Sequence, residues 1–205
     1  MGSVDLDLIK EIHLLWEPVY PYLSRAVTEY YGRREGTLIE IGPFCGVIFE
    51  LKKQGIGDSF VIAAFPRGLT NTFQEQARRH NPASPIDVIE TNPGLDGVDE
   101  NSADLIIFRG AFFFPSLFQV HWPAIHRVLK PNGIALVGGG FGKFTPREVI
   151  AKIGKESRDL NLQLGKIDRT AEDLKDEIEG ISVEATFEIL TEGGLWVLMT
   201  KKPHF

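Results

Sequence analysis

Three groups of residues have the types and spacing to do chemistry. The first is Glu40 with the loop Gly42-Pro43-Phe44-Cys45-Gly46. A mostly apolar run, Leu38–Ile41, ends at Gly42, and after Gly46 Val47, Ile48 and Leu51 recur at helical spacing. Strand, glycine turn, helix is the shape of a nucleotide-binding loop. Glycines let backbone approach a ligand closely, and a helix start offers unpaired N–H groups. Glu40, at the strand end, is placed to accept from a ligand ammonium or hydroxyl. A bare turn has the same composition, because any strand-to-helix turn favours glycine. The second group is Arg109-Gly110-Ala111-Phe112-Phe113-Phe114. An arginine there either binds an acidic acceptor or a carboxylate, or is a plain surface arginine or one paired with Asp104 or Glu90. The third group is the histidines, as general bases. Val120, Ala124 and Ile125 look inward on their segment, which sends His121 and His126 to the surface. His13, in the first helical segment, is the better-placed base if that segment borders a pocket. Cys45 reads as a small buried hydrophobe among Phe44, Val47 and Ile48 more readily than as a reactive thiol.

The elements that must position these groups are legible in order. Val4–Tyr31 is helical in pattern, broken by Pro18 and Pro21 into two helices with an aromatic elbow of Trp16, Tyr20 and Tyr22. The elbow covers the core or lids a pocket. Further apolar runs follow at Phe60–Phe65, Ile86–Glu90, Leu105–Phe108 and Ile134–Val137. Between them, Leu69–Arg79 and Pro115–Leu129 read as helices, the second kinked or split by Pro123. His80-Asn81-Pro82 and Lys130-Pro131-Asn132-Gly133 read as turns. Thr145-Pro146-Arg147-Glu148 is the pattern of a capping box and starts a helix to about Gly165, and Thr170 starts another that ends at Gly180. Val183–Leu190 alternates like a strand with one wet face, and after Gly193-Gly194 comes a buried strand, Leu195–Met199. Apolar strands separated by helices predict a parallel sheet covered on both faces, with a closing hairpin that makes it mixed. Ligands of such sheets bind beyond the carboxyl ends of the strands. That places the site at Glu40–Gly46, the loops after Phe65 and Glu90, and Arg109–Phe114.

Composition bounds the function. The 205 residues suit one domain with a substantial core, and 43% hydrophobic content is ordinary for a soluble protein. A net charge of −6 argues against a nucleic-acid or anionic-membrane partner. One cysteine excludes an internal disulfide and a cysteine zinc cluster, and no metal site is expected. No basic-then-apolar leader or membrane-spanning run is visible, so the plain expectation is a cytoplasmic protein. Whether it forms a homodimer stays open.

From about Thr37 to Lys202 the chain resembles the class I S-adenosylmethionine-dependent methyltransferases. IEIGPFCG is similar to the family's first motif, an acid followed by G-x-G-x-G. ENSADLIIFRGAFFF resembles the stretch through the fourth strand, and IHRVLKPNGIALVGGG resembles the segment before the fifth. The resemblance implies a single domain over residues 1–205, made of an N-terminal helical cap, 1–35, and a Rossmann-like three-layer core, 36–205. It implies a seven-stranded mixed sheet of order 3-2-1-4-5-7-6, strand 7 antiparallel. It implies S-adenosylmethionine as cofactor, with contacts expected at Glu40, Gly42, Pro43, Gly46, Phe65, Asn92 and Arg109. Glu40 falls on the acid that helps hold the methionine amino group, and Gly42 and Gly46 fall on the outer glycines. Asn92 falls nearest the residue that meets adenine. Two positions depart from the pattern: Phe44 replaces a middle glycine, and Ala63-Ala64-Phe65-Pro66-Arg67 ends strand two with no acid for the ribose. The Asn/Asp-Pro-Pro-Tyr motif of amino-methylating nucleic-acid enzymes is absent after strand four.

Three functions follow. One is methyl transfer to a small-molecule acceptor, with His13 or Arg109 as the candidate catalytic residues. Another is a methyltransferase-fold protein with lost or altered cofactor binding, acting as a binding or interaction module, which Phe44 and the missing acid favour. The third is a nicotinamide-dependent oxidoreductase, disfavoured because the chain lacks G-x-G-x-x-G and the acid about 20 residues on.

Overall fold

The computed structural model describes residues 4–80 and 85–203. Two helices lead, α1 (Leu6–Leu15) and α2 (Tyr20–Tyr31), joined by a short 3-10 turn at Glu17–Val19. Pro18 and Pro21 sit in the first turns of the 3-10 segment and of α2, where a missing N–H costs nothing. The core then alternates: β1 (Thr37–Ile41), α3 (Val47–Lys53), β2 (Ser59–Ala64), α4 (Thr70–His80), β3 (Asp87–Glu90), β4 (Ala103–Arg109), α5 (Trp122–Val128) and β5 (Leu129–Gly140). It closes with α6 (Arg147–Gln163), α7 (Ala171–Glu179), β6 (Ala185–Leu190) and β7 (Gly194–Lys201).

The sheet has seven strands in the order β3-β2-β1-β4-β5-β7-β6. Strands β1 to β5 are parallel, and β7 runs antiparallel to both β5 and β6. Both the order and the reversed strand are as the sequence led us to expect. On β4 the successive residues Leu105, Ile106, Ile107 and Phe108 are all buried. Neighbours on a strand point to opposite faces, so the sheet is covered on both sides. Ile41, Ile62, Val137 and Val197 complete the same core. On β6 exposure alternates, which leaves one wet face.

Three local expectations are corrected. The helix expected over Pro115–Leu129 forms only at Trp122–Val128, with Pro123 in its first turn and the His121 ring accepting from the Ala124 N–H at 3.2 Å. Proline does not split this helix; it marks its start. Lys130–Gly133 is not a free turn but a bulge within β5: pairing with β4 jumps from Leu129 to Ile134, and Asn132 takes φ +62°. Thr145 forms no capping box, because its hydroxyl donates to the Phe141 carbonyl and Pro146 takes the cap position. Thr170 and Asp173, by contrast, form a full box on α7. Of the turn expected at His80-Asn81-Pro82, Asn81 and Pro82 lie outside the described residues.

Candidate ligand site

Glu40 ends β1 facing α3. Its Oε2 accepts from the Ile48 N–H at 2.8 Å and its Oε1 from Val47 at 3.3 Å. The cap residue of α3 is Gly46, which has no side chain to satisfy these donors. Glu40 therefore supplies the cap itself, and the N–H groups of Val47 and Ile48 at the helix start are already used. The carboxyl is fully buried, and burial raises its pKa to about 7 against the lowering pull of the backbone donors and Arg109.

The glycine loop is covered by protein. Every residue from Ile41 to Phe49 is buried. A Cβ placed on Gly46 would come within 2.1 Å of the Tyr20 ring, and one on Gly42 within 3.0 Å of Phe108. Phe65, at the end of β2, is 2% exposed and packs edge-on against Phe108 and Phe118. Phe44 lies against Phe114. Cys45 donates to the Gly42 carbonyl oxygen at 3.3 Å, and burial holds its thiol well above the ordinary pKa.

Tyr20 is the hub of the cover. Its hydroxyl accepts from Arg109 Nη2 at 2.8 Å and lies 3.0 Å from His13 Nδ1. His13 Nε2 lies 3.1 Å from Gln76 Oε1 on α4. Burial, helped by the Arg109 charge, lowers the His13 pKa to about 4, so the ring is neutral near pH 7. His13 is thus a strut between cap and core and does not line the cavity beside the loop.

Beside this closed loop lies a cavity of about 630 Å³. It opens beyond the carboxyl ends of β4 and β5 and the start of β7, where such sheets bind ligands. Trp16, Phe44, Phe113, Phe114 and Phe141 give it aromatic walls, with Trp16 stacked on Phe141 at 4.6 Å. Helix α6 contributes Ser157, Arg158, Asn161 and Leu162. Of the expected cofactor contacts, Arg109 alone lines this cavity. Glu40, Gly42, Pro43, Gly46 and Phe65 are buried behind Phe44 or away from it, and Asn92 is exposed in its own loop, bonded to Asp96 and Gly94. Arg109 pairs with neither Asp104 nor Glu90. Asp104 binds Lys130 and Arg33, and Glu90 binds Arg67.

The α6 contribution escaped sequence reading. Its inward stripe runs Ile153, Ser157, Asn161, Leu164, all buried. Two polar residues four apart inside an apolar stripe are the signal that marks it. The aromatic elbow does border a cavity through Trp16.

No family model matches the chain, and neither does any curated protein. Solved structures do. A proposed S-adenosyl-L-methionine-dependent methyltransferase from Methanococcus maripaludis superposes at TM-score 0.80 with 22% identity, covering 100% of this chain and 97% of that one. A SAM-dependent methyltransferase from Aquifex aeolicus gives TM-score 0.64 at 14% identity over 97% and 98%. Geranyl diphosphate methyltransferase, solved with SAM, gives 0.57 at 11% over 90% and 85%. With the strand order and the reversed seventh strand, these likenesses show that the chain has the class I S-adenosylmethionine-dependent methyltransferase fold.

Proposed function

We propose that the chain is a small-molecule-binding protein on a methyltransferase fold, its ligand in the 630 Å³ cavity and its cofactor place closed by its own side chains. One observation carries this reading. The ring of Tyr20 packs directly on Gly46, one of the glycines that the resemblance places beside the cofactor. Phe65 is buried at the end of β2, the place that the resemblance gives to the ribose, and the one carboxylate beside it, Glu90 across from Ala64 on β3, is taken up by Arg67 and Thr70. In this conformation the residues present do not fit the cofactor. Losing one charge-assisted hydrogen bond alone costs about tenfold or more in affinity. The cavity has the volume and the mixture of apolar wall and few polar groups of a ligand site. Isothermal titration of the native chain with S-adenosylmethionine and S-adenosylhomocysteine is expected to give no heat. Micromolar binding of either would overturn the reading.

A second reading is methyl transfer to a small-molecule acceptor in the same cavity, after α1 and α2 swing aside. The observation that favours it is position: Phe44, a residue of the glycine loop itself, lines the cavity, in a fold shared with enzymes solved with SAM. Glu40, Gly42, Pro43 and Gly46 would then face the methionine part, and Phe65 and Asn92 the adenosine. The same titration on Tyr20→Ala discriminates: cofactor binding gained on removing the ring supports a cap that opens.

A further inference from the structure

We infer that the cavity takes an apolar, ring-bearing small molecule with a single carboxylate, and that Arg109 is the residue that holds the carboxylate. This rests on the cavity being a ligand site, as proposed above.

Arg109 is 5% exposed and lines the cavity. A buried charge needs a partner of opposite sign, and Arg109 has none within ion-pair distance among the described residues. The oxygens of Glu40 are held by the α3 backbone. What surrounds the guanidinium is a ring cage: its Cζ lies 5.0 Å from the centre of the Trp16 ring, 4.9 Å from Tyr20 and 5.5 Å from Phe44. Rings of this kind offset part of the cost of burial but do not neutralise the charge.

The hydrogen bonds show which way the free donors face. Nε donates to the Phe44 carbonyl at 3.2 Å and Nη2 to Tyr20 at 2.8 Å. Among the described residues Nη1 bonds to no acceptor, yet it is not one of their sealed, unpaired polar atoms, which are Trp122 Nε1 and Arg169 Nε. Nη1 is therefore open, and the cavity is the space beside it. With the remaining Nη2 donor it presents the paired N–H geometry that a carboxylate accepts. Ser157 and Asn161 line the same space, are buried, and make no side-chain hydrogen bond within the described residues. They are left to meet a ligand's hydroxyl or amide.

The charge pattern agrees. Arg109, Arg158 and Lys166 line the cavity against one acid, Asp168, in a chain of net charge −6. Arg158 and Asp168 are exposed at the rim and Lys166 is half-buried over the Phe113 ring, so Arg109 is the one buried cation of the site. One buried guanidinium and aromatic walls suit a monoanion on a flat body better than a polyanion.

2-Naphthoate, 2-naphthamide and 2-naphthyl phosphate share a ring body and differ in head group. Each is titrated into the full chain by calorimetry, with tryptophan emission as a second readout because Trp16 lines the cavity. We expect the acid to bind at least about tenfold tighter than the amide. The preference should vanish in Arg109→Met and survive in part in Arg109→Lys. Equal binding of acid and amide to the native chain, a comparison that needs no variant, overturns the inference and leaves the cavity a ligand site. A phosphate that binds tighter than the acid overturns the carboxylate assignment. Binding of none of the three overturns both this inference and the reading beneath it.

Discussion

Glu40 and His13 are both buried, Glu40 tying β1 to the start of α3 and His13 tying the N-terminal cap to α4, and they titrate in opposite senses. The Glu40 pKa is raised from 4.5 to about 7. Its folded carboxyl holds a proton that the unfolded chain releases, so its contribution is full below pH 4.5 and is lost as pH rises through 7. The His13 pKa is lowered from 6.5 to about 4. Its contribution is present above pH 6.5 and is lost as pH falls through 4. Between pH 4.5 and 6.5 the two effects oppose each other. Removing one should expose the other. Relative to the native chain, Glu40→Gln should lose stability on acidification and His13→Gln should gain it, each by at most about 3 kcal/mol. Urea unfolding at a series of pH values measures this, and identical pH slopes in all three chains would refute it. None of this was readable from residue types, because a carboxylate at a strand end looks the same whether it meets a ligand or a helix start.

At the scale of elements, the contact on which the proposed function turns is α2 against the loop before α3. The strand–glycine–helix order was legible because period and glycine placement are local. What lies over the loop was not, since Tyr20 and Gly46 are 26 residues apart and only packing brings the ring onto the glycine. The contact has a thermodynamic signature. Gly46→Ala forces a methyl group into the Tyr20 ring and should cost about 1–3 kcal/mol in the native background. In a Tyr20→Ala background the methyl meets vacated space, and the cost should fall below about 0.5 kcal/mol. A double-mutant cycle by denaturant unfolding reads the difference, and additive costs would mean that the ring and the glycine do not touch in solution. The same limit on local reading explains α5: Pro123 was visible, but whether proline breaks a helix or begins one depends on where the chain turns in from β4.

For the whole molecule, the apolar runs predicted the covered sheet well, because continuous burial leaves a continuous trace in sequence. Ile62, Ile107, Val137 and Val197, all at 0% exposure, are such positions. The cavity left no such trace. Its walls come from α1, β4, β5, α6 and β7, and residues as far apart as Ile12 and Leu195 meet there. The cap places one further feature out of reach. Cys45 is the chain's one cysteine and is fully buried in the covered loop. A thiol reagent can therefore mark the molecule at a single place, and only in the moments when the loop is uncovered. The labelling rate of the native chain, under mild conditions and with excess aromatic disulfide, becomes a clock for how often the cover lifts. That clock should run at least about tenfold faster in Tyr20→Ala, where the strut to Arg109 and His13 is gone. An unchanged rate would mean that the thiol is reached by some route other than beneath α2.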